Sequence, residues 1–126
     1  MARILVVDDY PAILSLLDHT LATAGHEVVT AGSGREGVAE AGRHKPDVVL
    51  LDIDMPMMNG LEVCDELKRD PKTSGVPVLL MTGRLCVEVL ERARQAGAVG
   101  VLPKPFLRAR LLDEIARAIS EVEPCR

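Results

Sequence analysis

A four-residue apolar run in the middle of the chain is followed at once by two aspartates, in the order Val48-Val49-Leu50-Leu51-Asp52-Ile53-Asp54. The run is rich in branched aliphatic residues and does not alternate with polar ones, which is typical of a strand buried on both faces. Further apolar runs of this kind occur at residues 4–7, 28–29, 78–81 and 99–102. The sequence therefore predicts five strands that form one sheet with both faces buried.

Segments with helical spacing separate these strands. In the first segment, apolar residues recur at three- and four-residue steps, as an amphipathic helix requires: Ile13, Leu14, Leu17 and Leu21. The predicted helices cover residues 11–24, 34–44, 61–69, 86–96 and 107–122. Five β/α repeats with short connections predict a parallel sheet covered by helices on both sides. No linker or low-complexity tract interrupts the pattern, so we expect a single α/β domain over residues 1–126.

The composition excludes several classes of function. The 126 residues include one tyrosine, one phenylalanine and no tryptophan, and the formal net charge is −4. Nucleic-acid binding through a basic surface or stacked aromatics is therefore not expected. Cys64, Cys86 and Cys125 form no CxxC pair, so free thiols in a reducing compartment are expected. The apolar runs are too short for a membrane span or a signal peptide, so we expect a cytoplasmic protein without membrane contact.

Acidic residues follow two of the predicted strands. Asp8 and Asp9 end the first strand, Asp52 ends the third, and Asp54 stands two residues later. The carboxyl ends of parallel strands share one edge of the sheet, so these carboxylates should converge there. Carboxylates this close repel one another unless a cation neutralises them. Oxygen ligands without histidine or thiolate, in a shell completed by water, favour Mg²⁺ over Ca²⁺.

A hydroxyl and an ammonium group are predicted to face these acids. Thr82 ends the fourth predicted strand and Lys104 follows the fifth. Both groups can neutralise the oxygens of a phosphoryl group during in-line transfer, and Asp52 would then be the nucleophile that forms an acyl phosphate. Each residue alone is an ordinary strand-end group. All of them together at one edge predict a site for phosphoryl chemistry.

Five pieces of the chain carry a combined pattern that is specific, although each piece alone is weak: Ile4-Leu5-Val6-Val7-Asp8-Asp9, Leu51-Asp52-Ile53-Asp54-Met55-Pro56, Met58-Asn59-Gly60-Leu61-Glu62, Thr82-Gly83 and Lys104-Pro105-Phe106. Together they resemble a response-regulator receiver domain of the CheY-like type, over residues 4–119. The resemblance implies a (βα)5 doubly wound, flavodoxin-like fold with strand order 2-1-3-4-5.

The same resemblance implies a function. Asp52 would accept a phosphoryl group from a phosphohistidine of a histidine kinase or phosphotransfer protein. It would bind Mg²⁺ together with Asp9 and the backbone carbonyl of Asp54, while Asp8 would act mainly through water. The chain would be a signalling switch rather than an enzyme, limited to its own phosphorylation and dephosphorylation. The face formed by the fourth helix, fifth strand and fifth helix would then control an output protein.

Two further sets of contacts follow from the resemblance. The phosphoryl oxygens would be contacted by Thr82, Lys104 and the backbone N–H groups of Asp54 and Gly83. The Lys104–Pro105 bond is expected to be cis, which only an X-Pro step allows at low cost. The phosphodonor would dock on the first helix and the loop after the fifth strand, through Ile13, Leu16, Pro105 and Phe106.

The chain departs from the family pattern at the switch position. Most receivers have an aromatic residue three places before the lysine, and this chain has Val101 there. Signalling through the swing of an aromatic ring is therefore not expected, although Thr82 could still move toward a phosphate. Two further positions flank the path of the hydrolytic water in the family and tune phosphoryl lifetime. Here they are Asp54 and Arg84, which we expect either to pair or to place Arg84 on the phosphate.

Two alternative functions use some of the same residues. Asp52-Ile53-Asp54 is also the DxD pattern of haloacid-dehalogenase-like phosphatases, in which the second aspartate is the general acid. Separately, residues 32–37 match the GxGxxG dinucleotide fingerprint. That second alternative gives no role to four of the strand-end residues: Asp8, Asp9, Thr82 and Lys104. The cognate kinase, the output pathway, a phosphorylation-dependent dimer and membership of a longer protein all stay open.

Overall fold

Five strands and five helices alternate along the chain in the computed structural model, which describes the backbone of residues 1–122 and the side chains of residues 1–120. Cys125 lies outside the described residues. The elements are β1 (Arg3–Val7), α1 (Pro11–Thr23), β2 (Glu27–Ala31), α2 (Gly34–His44), β3 (Val48–Asp52), α3 (Gly60–Arg69), β4 (Val78–Thr82), α4 (Val87–Gln95), β5 (Gly100–Pro103) and α5 (Arg108–Val122).

The strands form one parallel sheet in the order β2-β1-β3-β4-β5. The predicted fold class and strand order are therefore confirmed. The predicted boundaries differ from the observed ones by at most two residues, and those of α2 coincide. The largest difference is in β2, where Glu27 and Thr30 are exposed and the apolar signal was limited to two valines. None of the helices among residues 1–122 is long and apolar enough to cross a membrane.

Side chains from alternate positions of each strand enter two separate cores. Leu5 and Val7 of β1 face the core under α2, α3 and α4, whereas Ile4 and Val6 face the core under α1 and α5. The sheet is thus covered on both faces, and its central strands are apolar except at their ends because neither face meets water.

The helices that border the carboxyl end of the sheet have defined starts. Asn59 accepts the backbone N–H of Glu62 at 3.0 Å, and the Glu62 carboxylate accepts the N–H of Asn59 at 2.9 Å, a capping box that begins α3. Ser33 caps α2 in a related way by accepting the N–H of Glu36 at 3.2 Å. These caps fix where the loops beside the acids end.

The glycines of the predicted dinucleotide fingerprint serve helix packing. A Cβ on Gly34 would lie 2.8 Å from the Met58 carbonyl oxygen, and one on Gly37 would lie 2.9 Å from a methyl group of Val7. The backbone N–H of Gly32 donates to the Glu36 carboxylate at 2.9 Å. The pattern therefore brings α2 close to β1 and α3.

Candidate functional site

The predicted site residues meet at the carboxyl edge of the sheet. Asp52 and Thr82 are the last residues of β3 and β4, while Asp8 and Lys104 directly follow β1 and β5. Parallel pairing in register brings these four strand ends to one level. They open into a crevice of about 360 Å³ lined by Asp8, Asp9, Tyr10, Ile13, Asp52, Asp54, Gly83 and Lys104.

Three of the carboxylates lie close enough to share one cation. Asp8, Asp9 and Asp52 each offer an oxygen, and these oxygens lie within 4.8 Å of one another. Asp8 and Asp52 are buried and Asp9 is half-buried. Three carboxylate oxygens facing an open, water-accessible crevice suit a hard divalent ion, so the residues present fit a metal site.

Lys104 supplies the positive charge that faces these acids. Its Nζ lies 3.0 Å from Oδ2 of Asp8 and 3.4 Å from Oδ1 of Asp52. Burial alone would lower the pKa of Lys104, but its hydrogen bond to Asp8 and the attraction of both carboxylates outweigh burial and raise it. The ammonium group therefore stays charged.

The surroundings of Asp52 shift the pKa of its carboxyl group. Burial raises the pKa of Asp52, and the negative charge of Asp8 raises it further. Lys104 and the backbone N–H of Asp54, which donates to Oδ1 of Asp52 at 3.2 Å, lower the pKa in part. The net shift is upward, so one ammonium group does not compensate the buried negative charge.

Thr82 and Asp54 are in contact across the crevice. The Thr82 hydroxyl donates to Oδ2 of Asp54 at 3.4 Å and accepts the backbone N–H of Arg84 at 3.0 Å. The expected ion pair between Asp54 and Arg84 does not occur among the side chains of residues 1–120, because Asp54 faces Thr82 and the Arg84 side chain is exposed. The prediction of that pair was wrong. The alternative, contact of Arg84 with a bound phosphate, stays a prediction.

The loop between β3 and α3 packs against the backbone of Asp52. Gly60 packs so tightly that a Cβ would lie 2.5 Å from the backbone oxygen of Asp52. Met55 belongs to the core, whereas Met57 is fully exposed with a left-handed φ of 69°. Neither methionine is among the residues that line the crevice.

The four predicted docking residues line one apolar groove. Ile13, Leu16, Pro105 and Phe106 enclose about 340 Å³ together with Leu17 and Lys104. The Lys104–Pro105 peptide bond is cis, as expected. Ile13 also lines the acid crevice. The sequence pattern, which places Ile13 on the apolar face of α1, did not predict this second contact. The groove and the crevice are therefore adjacent and share residues.

Val101 lies on β5 and packs, partly buried, against the core under α2, α3 and α4. Cys64 lies in that core and donates its Sγ–H to the Ala96 carbonyl oxygen at 3.3 Å. Burial raises the pKa of the Cys64 thiol to about 11, so Cys64 is an unreactive packing residue. Cys86 is exposed at the start of α4.

Comparison with known proteins gives a consistent family match. The response regulator receiver domain model matches residues 4–116. Protein PilH of Pseudomonas aeruginosa is 41% identical over 115 residues, which cover 91% of this chain and 95% of PilH. Response regulator PleD of Caulobacter vibrioides is 40% identical over 127 residues, covering 96% of this chain. The match spans only 28% of PleD, so some relatives are much longer than this chain.

Solved structures agree with the sequence matches. The chemotaxis protein CheY4 of Vibrio cholerae has a TM-score of 0.90 and 36% identity, covering 94% of this chain and 98% of CheY4. A CheY-like receiver domain protein of Methanospirillum hungatei has a TM-score of 0.90 and 30% identity, with 97% and 96% covered. These similarities lend no support to the phosphatase or dinucleotide-binding alternatives.

Proposed function

This chain belongs to the response regulator receiver domain family, and we propose that it is a Mg²⁺-dependent phosphoacceptor switch in which Asp52 receives the phosphoryl group. The observation that carries the proposal is the position of Asp52. It is 3% exposed, lies 3.4 Å from Lys104, and shares the crevice with two further carboxylates. Asp8 has similar neighbours, because Lys104 pairs with it and the backbone N–H of Tyr10 donates to it at 3.0 Å. Asp52 differs in ending β3, the central strand of the sheet, within the segment that carries the family resemblance.

The transfer step follows from this geometry. A carboxylate oxygen of Asp52 attacks the phosphorus of a phosphohistidine in line, a P–O bond forms, and the P–N bond breaks with its electron pair leaving on the imidazole. Lys104 is placed to follow the charge, since its ammonium already contacts Asp52 and Asp8. The backbone N–H groups of Asp54 and Gly83 border the same space and can donate to the phosphoryl oxygens.

The proposed metal ligands belong to the acid cluster whose negative charge Lys104 compensates only in part. Asp9 and Asp52 would bind the ion directly together with the backbone carbonyl of Asp54, and Asp8 would act mainly through water. Mg²⁺ bound there would add positive charge against the phosphoryl oxygens. The chain's own part is to hold the carboxylates within reach of one ion and to exclude bulk water from Asp52.

The phosphodonor is proposed to be a histidine kinase or phosphotransfer protein that docks on the groove of Ile13, Leu16, Pro105 and Phe106. The groove is apolar and opens beside the acid crevice, so a docked surface helix would bring its phosphohistidine to Asp52. Leu16 is 59% exposed, which leaves it free for such a contact. Leu16→Glu is expected to slow transfer from the protein donor while a small phosphodonor reacts unchanged.

The output of the switch is proposed to run through α4, β5 and α5. Val101 lies on β5, and Thr82 ends the neighbouring strand β4. Leu85 and Leu90, on the α4 side of this region, are exposed. The partner on this face, a phosphorylation-dependent dimer and a cytoplasmic location are parts of the proposal that follow from the family. Nucleic acid and membrane are not proposed as direct partners of this domain.

The test is phosphorylation by acetyl phosphate or phosphoramidate in Mg²⁺, followed by mass spectrometry of the intact chain. The wild type should gain one phosphoryl group and stop there, because a receiver does not turn over as an enzyme does. Asp52→Asn should gain none, and chelation of Mg²⁺ should suppress the gain. An equal gain in Asp52→Asn would overturn the assignment of the nucleophile, and steady turnover of a phosphate monoester would favour a phosphatase.

A further inference from the structure

Thr82 has one hydroxyl group, and both of its hydrogen-bonding functions are already engaged. The hydroxyl donates to Oδ2 of Asp54 at 3.4 Å and accepts the backbone N–H of Arg84 at 3.0 Å. Thr82 is buried, while Asp54 is exposed at the mouth of the crevice. A threonine hydroxyl has a single proton to donate. Thr82 therefore cannot donate to Asp54 and to a phosphoryl oxygen on Asp52 at the same time.

We propose that the Asp54 carboxylate is a latch that holds the Thr82 hydroxyl away from the phosphoryl site until phosphoryl charge arrives. The inference rests on the proposed function, since it requires a phosphoryl group on Asp52. Asp54 is a positioning residue here, because its side chain acts on Thr82 and not on the reacting atoms.

The release of the latch follows from electrostatics. Phosphorylated Asp52 carries nearly two negative charges on its phosphoryl group where the free carboxylate carried one, and Asp54 lines the crevice that gains this charge. The backbone N–H of Asp54 donates to Asp52 at 3.2 Å, which ties Asp54 to the residue that gains this charge. Like charges within one crevice repel, and Asp54 is exposed, so its carboxylate can turn toward water. The proton of Thr82 then becomes free for the phosphoryl oxygens.

The freed threonine is connected to the loop that leads into α4. Its hydroxyl accepts the backbone N–H of Arg84, so any displacement of Thr82 changes a hydrogen bond of the segment between β4 and α4. Val101, at the switch position, is a small aliphatic side chain packed against the core. The Asp54–Thr82 contact thus supplies a polar link between phosphoryl charge and α4 in a chain that has no aromatic ring at that position.

The test compares Asp54→Ala with the wild type by NMR, first without metal and then with Mg²⁺ and beryllofluoride, a phosphoryl mimic. In the metal-free variant, the Thr82 methyl and Arg84 amide signals should move toward the positions they take in the wild type with beryllofluoride. The variant should also bind Mg²⁺–beryllofluoride about fivefold more tightly, because no hydrogen bond to a carboxylate must be broken first.

A matched control separates the latch from a general charge effect. Glu88→Ala removes an exposed acid from the first turn of α4, where it does not contact Thr82. This variant should leave both signals and the affinity unchanged. In a Thr82→Ala background, Asp54→Ala should increase the affinity for Mg²⁺–beryllofluoride by a smaller factor, since the hydroxyl that Asp54→Ala would release is gone. An undiminished gain there means that Asp54 acts by repulsion alone, which overturns the latch.

The outcomes also distinguish the latch from the function on which it rests. If the wild type neither binds beryllofluoride nor gains phosphoryl on Asp52, the proposed function fails and the latch fails with it. If the wild type does both, but Asp54→Ala leaves the Thr82 and Arg84 signals in place, the latch alone is overturned.

Discussion

At the amino edge of the sheet, Arg3 lies among groups that satisfy both its charge and its backbone amide, whereas at the carboxyl edge three carboxylates share one ammonium group. The Arg3 guanidinium pairs with Glu27 at 3.2 Å and donates to the His44 carbonyl oxygen at 2.7 Å, and its backbone N–H donates to Asp47 at 2.7 Å. These groups are largely exposed.

The carboxyl edge has the opposite properties. Asp52 is buried, its pKa is raised by burial and by Asp8, and Lys104 compensates the negative charge only in part. A fold selected for stability alone would not keep buried carboxylates together without an equal number of cations. The difference indicates that the amino edge serves the fold, while the uncompensated charge at the carboxyl edge fits the proposed binding of a cation and a phosphoryl group.

The largest expected effect concerns steric tolerance at the two edges. Gly60→Ala places a Cβ 2.5 Å from the backbone of Asp52, where nothing can move cheaply, so it should lower the free energy of unfolding by about 3 kcal/mol. Gly42→Ala, near the amino-edge end of α2, meets no atom within 4 Å and should raise it by about 0.5–1 kcal/mol. Urea titration measures both, and equal tolerance would contradict the tight packing beneath Asp52.

Mg²⁺ should act only at the carboxyl edge. At a free concentration about 100-fold above its Kd, it should raise the free energy of unfolding by about 2.7 kcal/mol, because it binds the folded carboxylates. Thermal melts with and without Mg²⁺ measure this. Asp9→Ala should lose most of the effect, and Asp47→Asn at the amino edge should keep it. A wild-type melt that does not respond to Mg²⁺ would count against the metal site.

The substitution of aspartate by asparagine should change the free energy of unfolding in opposite directions at the two edges. Without metal, Asp52→Asn removes a buried, poorly compensated charge and should stabilise the fold by about 1 kcal/mol, while Asp47→Asn weakens an exposed contact to Arg3 and should destabilise it by less than about 1 kcal/mol.

The pH dependence of this prediction follows from the raised pKa of Asp52. The wild-type penalty is full above the folded-state pKa, where Asp52 is charged, shrinks as pH falls below that pKa, and is gone only below the ordinary pKa of the unfolded state. The stabilities of wild type and Asp52→Asn should therefore converge in acid. A difference that stays constant with pH, or a destabilised Asp52→Asn, would contradict the charge imbalance.

The smallest effect concerns backbone strain, which is present at both edges. Met57 lies in the loop after β3 with φ 69°, and Lys45 ends α2 with φ 49°. Left-handed backbone is costly for both side chains, so glycine at either position should stabilise the fold by up to about 1 kcal/mol. Chemical denaturation of Met57→Gly and Lys45→Gly checks this. A clear loss of stability in either variant would mean that its side chain makes contacts that outweigh the strain.

The sequence predicted the sheet well because parallel strands with both faces buried leave uninterrupted apolar runs, such as residues 48–51. It predicted the convergence of Asp8, Asp52, Thr82 and Lys104 because strand ends of a parallel sheet share an edge. The prediction was weakest for the bounds of β2, whose outward positions are polar, and for the contacts that exposed side chains make. Nothing in residue spacing indicates that Asp54 contacts Thr82 instead of Arg84, since loop backbone geometry decides that orientation.

The most direct test of the account is to locate the phosphoryl group on the chain. After reaction with a small phosphodonor and Mg²⁺, borohydride reduces an aspartyl phosphate to homoserine, and peptide mass spectrometry identifies the modified position. The account predicts homoserine at position 52 alone, with Asp8, Asp9 and Asp54 unmodified. Reduction at one of those three residues, or a phosphoryl group that resists borohydride on a hydroxyl side chain, would contradict it.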